Sequence, residues 1–238
     1  MKKRLALLLL IGAFLYAQNP ETFNIAGTLR LTDRPPEATP VEALSFRIHP
    51  LDGGFDVTAQ PDSQGRFLLK NVKPGHYELE FPMPGRLEVF AIGQRDLAPG
   101  DFALTSDDNE ILSIVVSMRS ATVKVNVRDP GRIQNDAIAL LVPADDRLTL
   151  RHSCFSQRLN ERETTFQFVP PGKYRVLVFN SKYTSEVAAY APRFDDFLDR
   201  KSVAIEADWK EAVTASPDFV NDEDVESAIR SVSSRSIR

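Results

Sequence analysis

The chain has 238 residues, with 29 Lys and Arg against 33 Asp and Glu, a formal charge of -4 and a single cysteine. Without Lys2, Lys3 and Arg4 at the N-terminus the balance becomes 26 against 33, or -7, which argues against nucleic acid or an anionic membrane as a partner, since both need a basic face. One thiol excludes an intramolecular disulfide, so packing must hold the core.

Met1 to Arg4 followed by LALLLLIGAFL is a positive region and an apolar run at the short end for spanning a bilayer. It reads as a secretory signal peptide, residues 1–17, cut after Ala17. Leu15 rather than a small residue stands three positions before that bond, and an uncleaved N-terminal anchor is the alternative. No second long apolar segment follows, so no transmembrane segment is expected after cleavage.

Phe23, Ile25, Gly27, Leu29 and Leu31 occupy every second position, the period of a half-buried strand. Pro35, Pro36 and Pro40 cannot donate to a ladder and mark an edge or loop. Leu44, Phe46 and Ile48 resume the alternation, and turns are expected at Asp52-Gly53-Gly54 and at Asp62 to Gly65. Gly65 to Phe81, GRFLLKNVKPGHYELEF, then reads as strand, turn, strand. Arg86 to Ile92 and Ile111 to Met118 are apolar enough for strands and flank a loop from Asp96 to Glu110. They either complete the sheets of this first module or form a small bridging unit.

Val123, Val125 and Val127 open a second module, and the apolar run from Asp136 to Val142 fits a strand buried on both faces. A second copy of the Pro-Gly hairpin follows 97 residues after the first: Val72, Pro74, Gly75, Tyr77, Leu79 and Phe81 reappear as Val169, Pro171, Gly172, Tyr174, Val176 and Val178. In this copy Phe166 matches either Leu69 without a gap or Phe67 after a loss of two residues. Phe194, Phe197 and Leu198 fall on one side of a short helix, and Val203 and Ile205 return to strand alternation. Asn221 to Asp224 suits a helix N-terminus, with Val225, Ala228, Ile229 and Val232 on one face, and SVSSRSIR reads as disordered.

A hydrophobic strand, then V-x-P-G-x-Y and an alternating strand, resembles the carboxypeptidase regulatory-like (transthyretin- or prealbumin-like) β-sandwich of secreted bacterial proteins. Leu87 to Arg128 is similar to the connector between two such modules, and Phe194 to Glu206 to the ending after the last one. The resemblance implies an all-β fold of tandem prealbumin-like, Ig-like antiparallel sandwiches with a short helix near the C-terminus. The expected division is a first module at 18–82, a bridging β segment at 83–120, a second module at 121–206 and a partly disordered tail at 207–238. Pro74, Gly75, Tyr77 and Pro171, Gly172, Tyr174 are the structural turns: glycine for its φ, proline to preset the turn, tyrosine to reach backbone with its hydroxyl.

The search for chemistry yields little. His49, His76 and His152 are dispersed, and His152 with Cys154 lacks the companions a zinc site needs. The resemblance is to the module beside a zinc peptidase, and no His-x-x-Glu, His-Glu-x-x-His, Gly-x-Ser-x-Gly or phosphate-loop pattern occurs. Asp107-Asp108, Asp145-Asp146 and Asp195-Asp196 read as solvated turn acids or caps, and the Asp218 to Asp224 segment lacks the glycine and glutamate of a calcium loop. The expectation is a non-enzyme with no catalytic, metal or cofactor site. Two functions remain: a structural or interaction module binding an extracytoplasmic protein, and a carbohydrate-binding module using Tyr183, Tyr190 and Trp209. An exposed coplanar trio would favour sugar, and burial of all three would favour protein.

Overall fold

The computed structural model describes residues 22–35, 39–129, 136–145, 147–149, 154–191 and 194–233. The expected signal peptide, His152 and the last five residues lie outside them.

The first half builds two facing sheets. One has the order β4-β1-β9-β6-β7, from Arg66–Val72, Phe23–Thr32, Leu112–Ser117, Arg86–Ile92 and Arg95–Asp96. The other is β3-β2-β5-β8, from Val57–Ala59, Phe46–Pro50, Gly75–Glu80 and Phe102–Leu104. Alternation puts Ile25, Leu29, Phe67 and Leu69 of one sheet against Phe46, Ile48, Tyr77 and Leu79 of the other, and these side chains form one buried cluster.

The second half repeats the plan. Its sheets are β13-β10-β16 (Glu163–Val169, Ala121–Asn126, Val213–Ala215) and β12-β11-β14-β15 (Phe155–Arg158, Ala137–Pro143, Gly172–Asn180, Val203–Ala207). In each copy the first strand pairs antiparallel with the strand before the Pro-Gly turn and parallel with a late strand, β9 or β16. The sandwiches are thus mainly antiparallel with one parallel neighbour each. Ile25 faces Leu69 and Val123 faces Phe166, both followed by a bulge, so Phe166 matches Leu69 without a gap.

The copies differ in what separates the third and fourth strands of the second sheet. In the first copy β6 and β7 cross to the opposite sheet. In the second, α1 (Thr184–Tyr190) and α2 (Asp195–Lys201) fold over the outer face, joined by α3 (Asp222–Ser233). Ile138, Leu140, Leu177 and Phe179 point outward and are covered by Tyr183, Val187, Phe194, Val225 and Val232. This helical layer buries β11 on both faces, as its unbroken apolar run requires.

Two expected boundaries are corrected. Residues 83–120 are not a bridge: β6 and β9 are inner strands of the first sandwich, because their apolar faces, Leu87, Phe90, Ile114 and Val116, complete its core. Within 207–233, expected as part of a partly disordered tail with a helix after Asn221, β16 extends the second sandwich and α3 caps it with Val225, Ala228 and Val232. The loop from Asp96 to Glu110 also contains β8, which pairs with β5 through Gly75, His76 and Tyr77.

Candidate functional site: two copies of one Pro-Gly turn

Both turns are built alike. Tyr77 donates its hydroxyl to the Lys73 carbonyl at 2.8 Å, and Tyr174 donates to the Pro170 carbonyl at 2.7 Å. Burial raises both phenols above their ordinary pKa, so each remains a donor. The left-handed backbone is not supplied by the glycines as the sequence suggested: Gly75 has φ of +159° and Gly172 is not among the positive-φ glycines. It lies at the bulge before the turn, at Asn71 (φ 56°) and Phe168 (φ 59°), where the extra residue must be accommodated.

Each turn also carries an aspartate from the neighbouring loop. Leu51 N–H donates to the His76 carbonyl and Ala144 N–H to the Lys173 carbonyl, both at 2.9 Å, which brings Asp52 to Gly75 and Asp145 to Gly172 in the same register. The surroundings then diverge.

At the second turn the first module docks. Arg86 bonds the Asp145 carboxylate and donates to the Pro171 carbonyl at 3.2 Å. Leu87 N–H donates to the Arg147 carbonyl at 2.7 Å, Thr149 N–H donates to the Gly85 carbonyl at 3.0 Å, and Arg86 bridges Leu148 in antiparallel fashion. The Thr149 hydroxyl donates to the Met83 carbonyl at 2.6 Å. Asp145 is largely desolvated, which alone would raise its pKa, but Arg86 and two backbone N–H groups outweigh this and hold it below the ordinary value. Gly172 is closely enclosed here: a Cβ would lie 3.1 Å from Arg86 Nη1 and 3.2 Å from an Asp145 oxygen.

At the first turn the same place is an open groove of about 770 Å³, between the loop 51–56 and the β4 side of the sandwich. Asp52, Phe55, Leu68, Lys70, Lys73 and His76 line it. Phe55 stands three residues past Asp52, as Leu148 stands past Asp145, yet Phe55 is 96% exposed and Leu148 2%. Asp52 forms no ion pair among the described residues, whereas His76 is held by Asp101 at 2.6 Å, a hydrogen bond that raises its pKa. β3 and β4, the outer strands of their sheets among the described residues, come together beside this groove.

The three aromatics expected to bind sugar do not form one surface. Tyr183 is buried under the helical layer and donates to Glu226 at 2.5 Å, and Tyr190 packs against Phe194 in the same layer. Trp209 is 48% exposed, but the Arg119 guanidinium lies over its ring at 4.6 Å. Arg119 also pairs with Asp33 at 3.0 Å, so Trp209 joins the second module to the first rather than capping a core.

The remaining candidates also have structural partners. Burial pushes the Cys154 thiol up to about 11, which keeps it protonated, and among the described residues no cluster of His, Cys, Asp and Glu is arranged for a metal. Asp108 and Asp145 are not solvated as expected but enclosed in their turns by Arg95 and Arg86. Asn221 accepts from Asp224 N–H as the cap of α3, and Asp222 and Asp224 pair with Lys182 and Lys201. Sequence reading found the turns but missed the roles of Asp52, Phe55 and Arg86; the shared Pro-x-Asp spacing at Pro50 and Pro143 was a signal for Asp52 and Asp145, and none was available for Arg86.

No family model matches this sequence, and no curated protein matches it. Among solved structures it is similar to the minor pilin of Streptococcus agalactiae, at 10% identity over 83% of this chain and 94% of that one, with a TM-score of 0.40. A streptococcal ancillary pilin is similar at 12% identity over 84% and 69%, TM-score 0.26. A DUF3823 family protein of Bacteroides ovatus is similar at 11% identity over 66% and 89%, TM-score 0.27.

Proposed function

We propose that the protein is an exported, non-catalytic interaction protein of two carboxypeptidase regulatory-like sandwiches, which binds an envelope or extracellular protein through its first module. The division into two modules, meeting near residue 120, belongs to this reading. The observation that carries it is the groove at the Pro74 turn, where Phe55 and Leu68 are exposed beside β3 and β4, the outer strands of their sheets among the described residues. Such edges offer main-chain hydrogen bonds to an extended peptide, and apolar side chains beside them supply affinity. The sugar reading has less support, because Tyr183 is buried and the Arg119 guanidinium lies over the Trp209 ring.

Photo-crosslinking from position 55 in the producing cell tests this, with position 124, an exposed site on the second module, as control. A discrete protein adduct from 55 and none from 124 is expected. No adduct at 55, or equal adducts at both, would overturn the reading.

A further inference from the structure

We infer that the first module's groove is an unfilled copy of the joint between the modules, and that its occupant is an extended, arginine-bearing peptide segment of a partner protein. This rests on the proposed protein-binding reading and names the chemistry of the bound segment.

The joint shows what this turn accepts. Gly85-Arg86-Leu87 lies extended along residues 147–149, with its guanidinium on Asp145 and the Pro171 carbonyl and its backbone paired on both sides of Arg86. The first turn presents the corresponding groups in the corresponding places. Asp52 stands beside Gly75 as Asp145 stands beside Gly172, the Pro74 carbonyl corresponds to that of Pro171, and Phe55 has the spacing of Leu148. A carboxylate that forms no ion pair among the described residues, at the end of this groove, complements a guanidinium, which can also reach the neighbouring carbonyl through its forked donors.

The rest of the lining narrows the segment. Lys70, Lys73 and His76 line the same groove, so a peptide with several cations would be repelled. A single arginine with apolar or acidic neighbours fits, as Arg86 is followed by Leu87 and Glu88. A second copy of this chain cannot donate its own Arg86 without breaking its joint, since that residue is already held by Asp145. Arg86 of a second copy is therefore not the donor, and the occupant is assigned to a different protein with a free segment of this kind.

The probe is a synthetic peptide with the sequence of residues 82–90, PMPGRLEVF, titrated into the exported chain, residues 18–238, and followed by amide chemical shifts. Saturable shifts at residues 52–56 and 74–77 are expected, with affinity reduced about tenfold or more by Asp52→Asn or by alanine in place of the peptide's arginine. Asp52 is exposed and unpaired, so Asp52→Asn should leave the fold intact, which a melting curve checks. No shift at 52–56, binding indifferent to Asp52→Asn, or shifts confined to 145–149 would each overturn the inference. If the peptide fails while position 55 still crosslinks to a protein, the interaction reading stands and only the arginine assignment falls.

Discussion

The Pro74 and Pro171 turns share their tyrosine bond, their bulge and their aspartate, yet one faces an open groove and the other is sealed by the first module. The difference lies in neighbours rather than in the hairpin. An aspartate that is idle at the first turn is, at the second, the anchor of a joint. Local sequence therefore sets the shape of a turn, and the surface opposite decides whether it holds the molecule together or remains available to a partner.

The largest expected effect comes from removing the joint's cation. Arg86→Ala leaves Asp145 desolvated without its partner and should cost about 3 kcal/mol, somewhat less if water enters from the exposed side of Arg86. Asp52→Asn should change stability by less than about 0.5 kcal/mol in the same denaturant titration. Equal losses would show that the turns are not distinguished by the joint. Acid sharpens the contrast. Because the folded pKa of Asp145 lies below its ordinary 3.8, its stabilisation is complete above that value and is lost as the pH falls through the folded pKa. In Arg86→Ala the burial that raises the pKa is no longer outweighed by the arginine, so this acid-linked loss should shrink, and it should reverse into a gain where the folded pKa rises above 3.8.

Next in size is Gly172→Ala, whose methyl would meet Arg86, Leu148 and Asp145 and should cost roughly 1–3 kcal/mol by overpacking. Double-variant analysis with Arg86→Ala should show coupling; strict additivity would place the cost elsewhere. Tyr174→Phe strands a carbonyl at a fully buried site and should cost roughly 1–2 kcal/mol. Tyr77→Phe, at a partly exposed bond that water can replace, should cost about half as much. The reverse order in melting experiments would contradict the sealed and open assignments.

The smallest effect should be a gain. Phe168 adopts φ of 59° with its ring 76% exposed, whereas the first module has Asn71 at this place. Phe168→Asn relieves left-handed strain without losing a buried ring and should stabilise by up to about 1 kcal/mol. A clear loss would mean that the exposed phenylalanine packs against something in the folded chain.

By itself the sequence determined the all-β class, the repeat and the turn positions, because alternation and Pro-Gly chemistry are local and act within a few residues. It also indicated that β11 is buried on both faces, although not that helices provide the second cover. Phe194 and Phe197 carried a helical period, but α1 has only Val187 buried and left no comparable stripe. Tertiary structure alone decided that residues 83–120 complete the first sandwich, that Trp209 stacks on Arg119, and that Arg86 reaches Asp145 across 59 positions. Those outcomes depend on pairing between distant strands and on charges that meet only when two sandwiches are placed together, and no spacing along the chain encodes such a meeting.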